Sequence, residues 1–400
     1  MKILFITQFL PYPADTGGKI KTWKVLRVLA KKHQVFLISF VEEKEDLRWE
    51  LQIKKVCFAL KTFVTPIITT SYQKLKQKAL LGILNPKPFR VQKYFLKETA
   101  DFIERLTKKE KFDVIWCDHE TSFQYLTYVY EWQKKLKIYD EHNISSEGLF
   151  QYVKYEKNLI TKFAYFLEGL KFYFYENFWI IRFGKVLTIS KRDRKILIKK
   201  GIEKKKVNFL PIPFERKSIF KFGSKNIFFI GLLSWWPNHD AMMWFYKKIF
   251  PKIKKKILGV KFFVVGVNPS PEIQKIGRQD QSVVVAGHVK DVLPYFKKAG
   301  VFVAPIRAGA GVRVKILEAL SLGLPIVSTR MAAMGIKLED QKNIFLVDTE
   351  EEFVKRVVEI LSDEKLASKL SQNGAFFIRE NYNREEAERV LTWAFSGKGK

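Results

Sequence analysis

The sequence predicts an α/β protein built from two doubly wound, parallel-sheet domains. Short, nearly all-apolar segments alternate with helical patterns along the chain, which is typical of parallel sheets covered by helices on both faces. This alternation starts at the N-terminus and starts again near residue 226. The length of 400 residues also exceeds the usual size of a single hydrophobic core.

The first domain opens on an apolar segment at residues 3–9 (ILFITQF). We interpret this segment as a strand and not as a secretory signal, because prolines interrupt it early. A loop with a glycine pair, a helix at about 19–32 and a strand at 34–40 complete one βαβ unit. Further strands of this half are predicted at 112–117, 137–139 and 185–189.

The second domain begins with a predicted strand at 226–231 (NIFFIG), which a loop and a helix follow. Its later strands are predicted at 261–266, 282–287, 301–305, 326–329 and 343–347. The predicted organisation is a first domain at 1–209, a proline-containing linker at 210–224, a second domain at 225–375, and a C-terminal helix at 376–400 that returns to the first domain. Ligands of such sheets bind beyond the carboxyl ends of the strands, so we expect a binding cleft between the domains.

A glycine-rich segment, GAGVRVKILEALSLGLP, lies between two of the predicted strands. Gly309 and Gly311 permit close backbone approach, and a helix that opens near Gly311 would direct free N–H groups at an anion such as phosphate. Arg313 and Lys315 supply cations for a diphosphate, and Glu318 supplies a carboxylate for sugar hydroxyls. The alternative is an ordinary crossover in which Lys315 and Glu318 form an exposed i,i+3 pair.

The net charge of +31 is concentrated in two regions. Residues 51–100 hold ten basic residues and one acidic residue, and residues 151–200 hold twelve and four. Both mix lysine with aromatic and aliphatic residues, as expected of a surface that enters an anionic lipid headgroup layer. Nucleic-acid binding and a merely solvated basic surface are the alternatives. The 3.6-residue apolar period in 151–183 favours amphipathic helices over an RNA-binding platform, and no transmembrane helix is expected.

The two cysteines, Cys57 and Cys117, each lie in an apolar segment. This placement favours buried thiols in a reducing compartment, so we expect a cytoplasmic protein.

Two histidines follow predicted strands of the first domain, His119 in CDHET and His142 in YDEHN. Acidic residues flank both, but their spacing is not a defined ligand set, so no metal site is expected. The flanking acidic residues are Asp118, Glu120, Asp140 and Glu141.

Four separated blocks resemble the GT-B glycosyltransferases, in particular the retaining family 4 group. GHVKDVLPYFKKAGVFVAPIRAGAGVRVKILEALSLGLPIVST resembles the donor-binding half, and FLPYPADTGGKIKTWKVLRVLAKKHQVFLISF resembles the acceptor-binding half. IYDEHNISSE and FIGLLSWWPNHDAMMWF match further blocks in the same order. The resemblance implies two Rossmann-like domains that face each other across a cleft.

The resemblance also implies roles for residues of the donor half. Glu318 matches the second glutamate of the family's paired motif, which binds the donor ribose, and the first glutamate falls on Ala310. Contacts to the hexose are therefore expected from the loop of Gly309 and Gly311. The other implied donor-binding residues are Gly231 and His288.

A second departure from the family concerns the basic pair after the first strand of the donor half. Leu232 stands at the arginine position, and Asn238 lies near the lysine position. We therefore expect Arg313 and Lys315 to neutralise the leaving diphosphate.

In the acceptor half, Gly17 and Gly18 match the loop whose amides face the donor phosphate and the attacking hydroxyl. A plain first-turn glycine pair is the alternative. His142 matches the family's histidine near the donor sugar, and His119 is the runner-up on the acceptor side, where a structurally satisfied histidine is the alternative.

The function so implied is transfer of a hexose, with retention, from a UDP- or GDP-linked sugar to a glycan or lipid-linked acceptor in cell-envelope polysaccharide synthesis. The sequence predicts no cofactor, no metal and no nucleic-acid partner, and a cytoplasmic location on the inner membrane face. A GT-B nucleotide-sugar epimerase and a non-catalytic basic nucleic-acid scaffold remain the alternatives.

Overall fold

The computed structural model describes residues 1–65, 85–214, 218–289, 291–309 and 311–396. The chain divides into two compact units. The first unit combines Met1–Ile212 with Ala387–Lys400, and the second unit is Pro213–Glu386. The last helix, Arg384–Phe395, begins in the second unit and continues in the first.

The first unit is built on a seven-stranded, all-parallel sheet in the order β3-β2-β1-β4-β5-β6-β7. Its strands are β1 Lys2–Thr7, β2 Gln34–Val41, β3 Ala59–Val64, β4 Val114–Asp118, β5 Leu136–Asp140, β6 Lys185–Thr188 and β7 Val207–Phe209. Its helices are α1 Gly17–Leu29, α2 Glu50–Lys54, α3 Phe89–Lys93, α4 Lys97–Lys109, α5 Ser145–Tyr155, α6 Leu159–Ile180 and α7 Lys191–Lys199. Short 3₁₀ segments lie at Lys44–Trp49, Glu120–Tyr128, Trp132–Lys134 and Lys204–Lys206.

Each face of the first sheet is covered by its own hydrophobic core. Alternate residues of β1 point to opposite faces, so Leu4 and Ile6 belong to one core and Ile3 and Phe5 to the other. The second of these cores also contains Val390 of the last helix. Burial on both faces is why the strands are continuous apolar runs.

The second unit holds a six-stranded, all-parallel sheet in the order β10-β9-β8-β11-β12-β13. Its strands are β8 Ile227–Ile230, β9 Phe262–Val265, β10 Val283–Gly287, β11 Val301–Ala304, β12 Ile326–Ser328 and β13 Phe345–Leu346. Its helices are α8 Trp236–Trp244, which continues as a π-helical turn at Phe245–Ile249, α9 Phe250–Lys254, α10 Pro271–Gln279, α11 Leu293–Lys298, α12 Val314–Ser321, α13 Glu350–Ser362 and α14 Glu364–Asn381, and the last helix, Arg384–Phe395, is α15.

Two doubly wound, parallel-sheet domains are thus confirmed as the fold class. Cys57 and Cys117 are buried free thiols, as predicted. Among the described residues, none of the helices combines the length and the apolar character needed to cross a bilayer.

Candidate active site

Three neighbouring strands of the first sheet end in polar residues at one edge. β1 ends at Thr7, β4 at Asp118 and β5 at Asp140, and all three side chains are fully buried. In a parallel sheet the carboxyl ends of adjacent strands share an edge, and ligands of doubly wound folds bind there. The polar residues therefore lie where the fold places a ligand.

Asp118 is the centre of what we call the histidine cluster, which consists of Thr7, Thr22, Asp118, His119 and His142. One carboxylate oxygen, Oδ2, accepts hydrogen bonds from the hydroxyls of Thr7 (2.6 Å) and Thr22 (2.9 Å) and lies 3.0 Å from His119 Nδ1. The other oxygen, Oδ1, lies 2.7 Å from His142 Nε2. Burial opposes ionisation of Asp118, but the histidines and these hydrogen bonds hold its pKa well below its usual range. Asp118 is therefore a buried carboxylate that orients both imidazole rings.

The two imidazole rings stack on each other, with centroids 3.7 Å apart and an interplanar angle of 22°. Burial, with the charges of His119 and Lys21, lowers the pKa of His142 well below its usual value. A neutral His142 donates its Nε2 proton to Asp118, which leaves Nδ1 as an acceptor. That Nδ1 atom is buried and has no hydrogen-bond partner among the residues the structure describes.

His119 differs from His142 in what surrounds its second nitrogen. A Cβ atom added to Gly18 would lie 3.7 Å from His119 Nε2 and 2.8 Å from the Phe9 ring, so this nitrogen adjoins the glycine loop at the start of α1. The backbone of His119 has φ of +74°, a strained conformation for a residue with a side chain. Such strain is concentrated at functional sites. Of the two rings, His119 presents its free nitrogen toward the glycine loop.

Lys21 is a component of this site that sequence reasoning missed. Its side chain is fully buried, and Nζ lies 2.5 Å from Asp140 Oδ1 and 2.5 Å from the carbonyl oxygen of Glu141. Burial raises the pKa of Asp140 to about 6, although the Lys21 ammonium opposes that rise. A usable signal existed, because Lys21 is four residues before the core residue Val25 and so lies on the apolar face of α1.

The structure brings together, in the histidine cluster, three side chains that could ligate a metal. Ligand atoms of Asp118, His119 and His142 lie within 4.8 Å of one another, although they come from two strand ends 24 residues apart in sequence. The Asp118 oxygens and one nitrogen of each ring are already engaged in the hydrogen bonds described above. Independence from metal stays a prediction.

A second set of polar residues stabilises the segment that follows His142 through hydrogen bonds. Glu176 of α6 accepts hydrogen bonds from the Ser145 amide (2.7 Å) and the Ser146 hydroxyl (2.6 Å) at the start of α5. Ser145 also donates to Glu120 (2.9 Å), which forms an ion pair with Arg90. The loop that carries His142 is thus tied to α6.

In the second unit, the predicted phosphate-binding segment is a loop between β11 and α12. Gly309 and Gly311 have φ of +110° and +81°, which favours glycine, as the sequence indicated. The predicted start of the helix near Gly311 is wrong, because α12 begins at Val314. The helix begins later because φ values of this kind are incompatible with right-handed helix. Ala310 lies outside the described residues.

The Arg313 side chain folds back over this loop. Its guanidinium donates to the carbonyl oxygens of Gly311 (3.0 Å) and Ala308 (3.3 Å) and lies 5.3 Å from the ring centroid of Trp235. A Cβ atom on Gly309 would lie 2.8 Å from Arg313 Nη2. The structure therefore brings Gly309 and Arg313 together and adds Trp235, which the sequence did not single out.

Lys315 and Glu318 form an ion pair of 2.9 Å on the first turns of α12. The alternative of an ordinary strand-to-strand crossover predicts this i,i+3 pair with both side chains exposed. In the structure both side chains are largely buried. The predicted ribose-binding role of Glu318 stays a prediction.

The remaining donor-side residues lie at other strand ends. Gly231 follows β8, and a Cβ there would lie 2.6 Å from the side-chain amide nitrogen of Asn238, so a larger residue would require Asn238 to move. His288 is exposed after β10. Because β9 and β8 separate β10 from β11, His288 follows a strand about 14 Å from the one that leads to Gly309.

The second unit matches a known family. Residues 224–363 match the sequence model of the family described as Glycosyl transferases group 1. The second unit therefore contains a segment that resembles the group 1 glycosyl transferases. Membership of family 4 within this fold stays a prediction.

Similarity to known proteins extends over both units. The chain is 22% identical over 397 residues to an uncharacterized 44.6 kDa protein in the cps region of Klebsiella pneumoniae, covering 96% of this chain and 97% of that protein. It resembles TarM of S. aureus, solved with fondaparinux, alpha-GlcNAc-glycerol and UDP, with a TM-score of 0.69 at 12% identity over 99% of this chain and 100% of that one. It resembles Anabaena HepE, solved with UDP, with a TM-score of 0.65 at 14% identity over 98% and 99% of the two chains.

Proposed function

We propose that this protein is a glycosyltransferase that moves a hexose, with retention, from a UDP- or GDP-linked sugar to a glycan or lipid-linked acceptor in cell-envelope polysaccharide synthesis. The observation that carries the proposal is the histidine cluster beside the glycine loop, in a chain whose second unit resembles the group 1 glycosyl transferases. The cps-region relative supports the envelope context. UDP in HepE and in TarM supports a nucleotide-linked donor.

The proposed reaction breaks the bond between the anomeric carbon and the β-phosphate oxygen of the donor. The acceptor hydroxyl oxygen bonds to the anomeric carbon on the face that the phosphate leaves, and its proton passes to the departing phosphate oxygen. The products are a glycoside with unchanged anomeric configuration and a nucleoside diphosphate. Donors aimed at the developing charge stabilise such a transition state.

We assign the contact with the donor sugar to His119, because its Nε2 atom adjoins Gly18 while both ring nitrogens of His142 are buried or bonded. His142 then holds the orientation of His119 through the stacked rings. This assignment reverses the order that the family resemblance implied for the two histidines.

In the second unit we assign the leaving diphosphate to Arg313 and Lys315, and the ribose to Glu318. The glycine loop and the Arg313 guanidinium lie together, which supports an anion site there. Trp235 stacks on the Arg313 guanidinium and so helps to hold it against the loop, where Arg313 and Lys315 take over from the basic pair that the family usually carries.

The donor assignment is tested with a panel of nucleotides and nucleotide sugars. We expect Arg313→Ala and Glu318→Ala to weaken nucleotide binding, measured by calorimetry and by thermal shift. Arg278→Ala, on the exposed surface of α10, is the matched control that removes one positive charge from the same unit. Unchanged nucleotide affinity in both site variants would contradict the assignment.

The catalytic assignment is tested by the turnover of the preferred donor with glycan and lipid-linked acceptors. We expect His119→Ala to lower kcat by about 10²–10³-fold with little change in nucleotide affinity. His142→Ala should lower kcat less. If only His142→Ala lowers kcat, His142 contacts the donor sugar, as the family resemblance implied, and the assignment to His119 is wrong.

The anomeric configuration of the product is read by NMR. An inverted product refutes retention. Isomerisation of the donor sugar without an acceptor identifies an epimerase. Salt-dependent binding of RNA or DNA, with no binding of nucleotides or nucleotide sugars, identifies a non-catalytic nucleic-acid scaffold.

We also propose that the enzyme works in the cytoplasm, on the inner membrane face. The support is the net charge of +31 and its concentration in 51–100 and 151–200.

A further inference from the structure

Helix α6 carries an unusual number of exposed apolar side chains. Eight of them, in and next to the helix, are between 38% and 83% exposed, and we call them the aromatic face. Clusters of exposed apolar side chains on soluble proteins mark interaction sites. The aromatic face consists of Leu159, Ile160, Phe163, Phe166, Tyr173, Phe174, Phe178 and Ile181.

The opposite side of α6 is fixed within the first unit. Gly169, Phe172, Glu176 and Ile180 are buried at spacings of three and four residues, which form one stripe of a helix. At Gly169 a Cβ would lie 2.7 Å from the Phe150 ring, so α5 packs closely against α6. The buried stripe thus fixes α6 against the first unit, and the aromatic face is directed outward.

Cations accompany the aromatic face. The guanidinium of Arg182 lies 3.7 Å from the Phe178 ring centroid. Lys154 and Lys157 are exposed where α5 leads into α6. Residues 151–200 carry a net charge of +8.

We propose that α6 is the element that docks the enzyme on an anionic lipid bilayer, with the aromatic face inserted among the headgroups. Aromatic and aliphatic side chains enter the interface, and nearby lysine and arginine residues contact lipid phosphates. A second copy of the chain fits less well, because a symmetric contact would bring two segments of charge +8 together. Nucleic acid fits less well, because Leu159, Ile160 and Ile181 offer no stacking surface to bases.

This inference deepens the proposed membrane location, but it is measured without donor or acceptor, so it can fail while the transferase assignment stands. The full chain is mixed with sucrose-loaded vesicles of phosphatidylglycerol and phosphatidylethanolamine, and with phosphatidylcholine vesicles, and sedimented. We expect binding to the anionic vesicles. We expect Phe163→Ser with Phe174→Ser to weaken that binding by about tenfold or more.

The matched control is Leu258→Ser with Phe376→Ser, which removes two exposed apolar side chains of the second unit. This control should bind as the wild type does. A chain that stays free of anionic vesicles, or a Phe163/Phe174 variant that binds as well as the control, overturns the proposal. So does a dimer, seen by analytical ultracentrifugation, that the Phe163/Phe174 variant abolishes, because the aromatic face then belongs to a second copy.

Insertion itself is read with a fluorophore. Because Cys57 and Cys117 are buried, a single introduced cysteine can be labelled selectively. A polarity-sensitive label on Phe174→Cys should shift to shorter wavelength on anionic vesicles, and the same label on Phe376→Cys, in the second unit, should not. Equal responses at both positions would refute insertion through α6.

Discussion

Replacing Glu176 by glutamine should change how the stability of the first unit depends on pH. Glu176 is 2% exposed on the inner side of α6, and it accepts hydrogen bonds from Ser145 and Ser146. Burial raises its pKa from 4.5 to about 7, although the bond from Ser146, the bond from Ser145 and the charge of Lys200 act in the opposite direction. The native state therefore keeps a proton that the unfolded chain releases.

The sign and size of the effect follow from this difference in pKa. Below pH 4.5 both states are protonated, and the contribution of Glu176 is fully present. As pH rises toward 7, the unfolded chain loses its proton first and the free energy of unfolding falls. Each pKa unit is worth about 1.4 kcal/mol, so the loss between pH 5 and pH 8 is about 2.5 kcal/mol. Glutamine has the shape of the protonated acid and does not titrate, so the Glu176→Gln variant does not lose this stability as pH rises.

The assay is urea unfolding of wild type and Glu176→Gln at pH 5, 6, 7 and 8. We expect the stability of the variant relative to wild type to rise by about 2.5 kcal/mol across this range. Glu98→Gln, on the exposed side of α4, controls for the loss of one negative charge. A relative stability that stays constant with pH would show that Glu176 is ionised in the native state, and the reasoning would fail.

Two further variants test the two sites. Lys21→Met leaves buried Asp140 without its cation and should destabilise the first unit by about 3–5 kcal/mol. The loss should be larger at pH 8 than at pH 5, because Asp140, with a pKa of about 6, is protonated at the lower pH. Adding Asp140→Asn should restore most of that loss in urea titrations, and no restoration would argue against the pair. In Gly309→Ala the new residue must adopt φ of +110°, and its Cβ atom would lie 2.8 Å from the Arg313 side chain. We therefore expect the free energy of unfolding of the second unit to fall by about 1–3 kcal/mol and UDP binding to weaken. An unchanged melting temperature and an unchanged UDP affinity would contradict this account of the loop.

Much of the fold could be predicted from sequence because most strands are buried on both faces. β8 and β11 are continuous apolar runs, and such runs stand out from the polar loops around them. β3 and β7 were missed, and each lies at an edge of the first sheet. β3 reads ALKTFV, with a mixed pattern because an edge strand is only partly buried, and β7 has only three residues.

The residues of the candidate site were found to different degrees. His119, His142 and Gly18 could be identified because they directly follow strands or open a helix after a strand. Their mutual geometry could not, since a stack of two rings on one carboxylate depends on which strands are neighbours. The choice between His119 and His142 depends on where the ring nitrogen that does not face Asp118 lies, and that is a property of the folded site.

The sequence by itself determined the alternation of strands and helices, the two sheets, the resemblance of residues 224–363 to group 1 glycosyl transferases and the uneven positive charge. Those properties depend on local periodicity and composition, which neighbouring residues encode. Only the tertiary structure decided that Lys21 is a buried ion-pair partner of Asp140 and that the apolar residues of α6 face outward. The physical reason is that burial of a charge or exposure of an aromatic ring depends on partners distant in sequence, here 119 residues apart for Lys21 and Asp140.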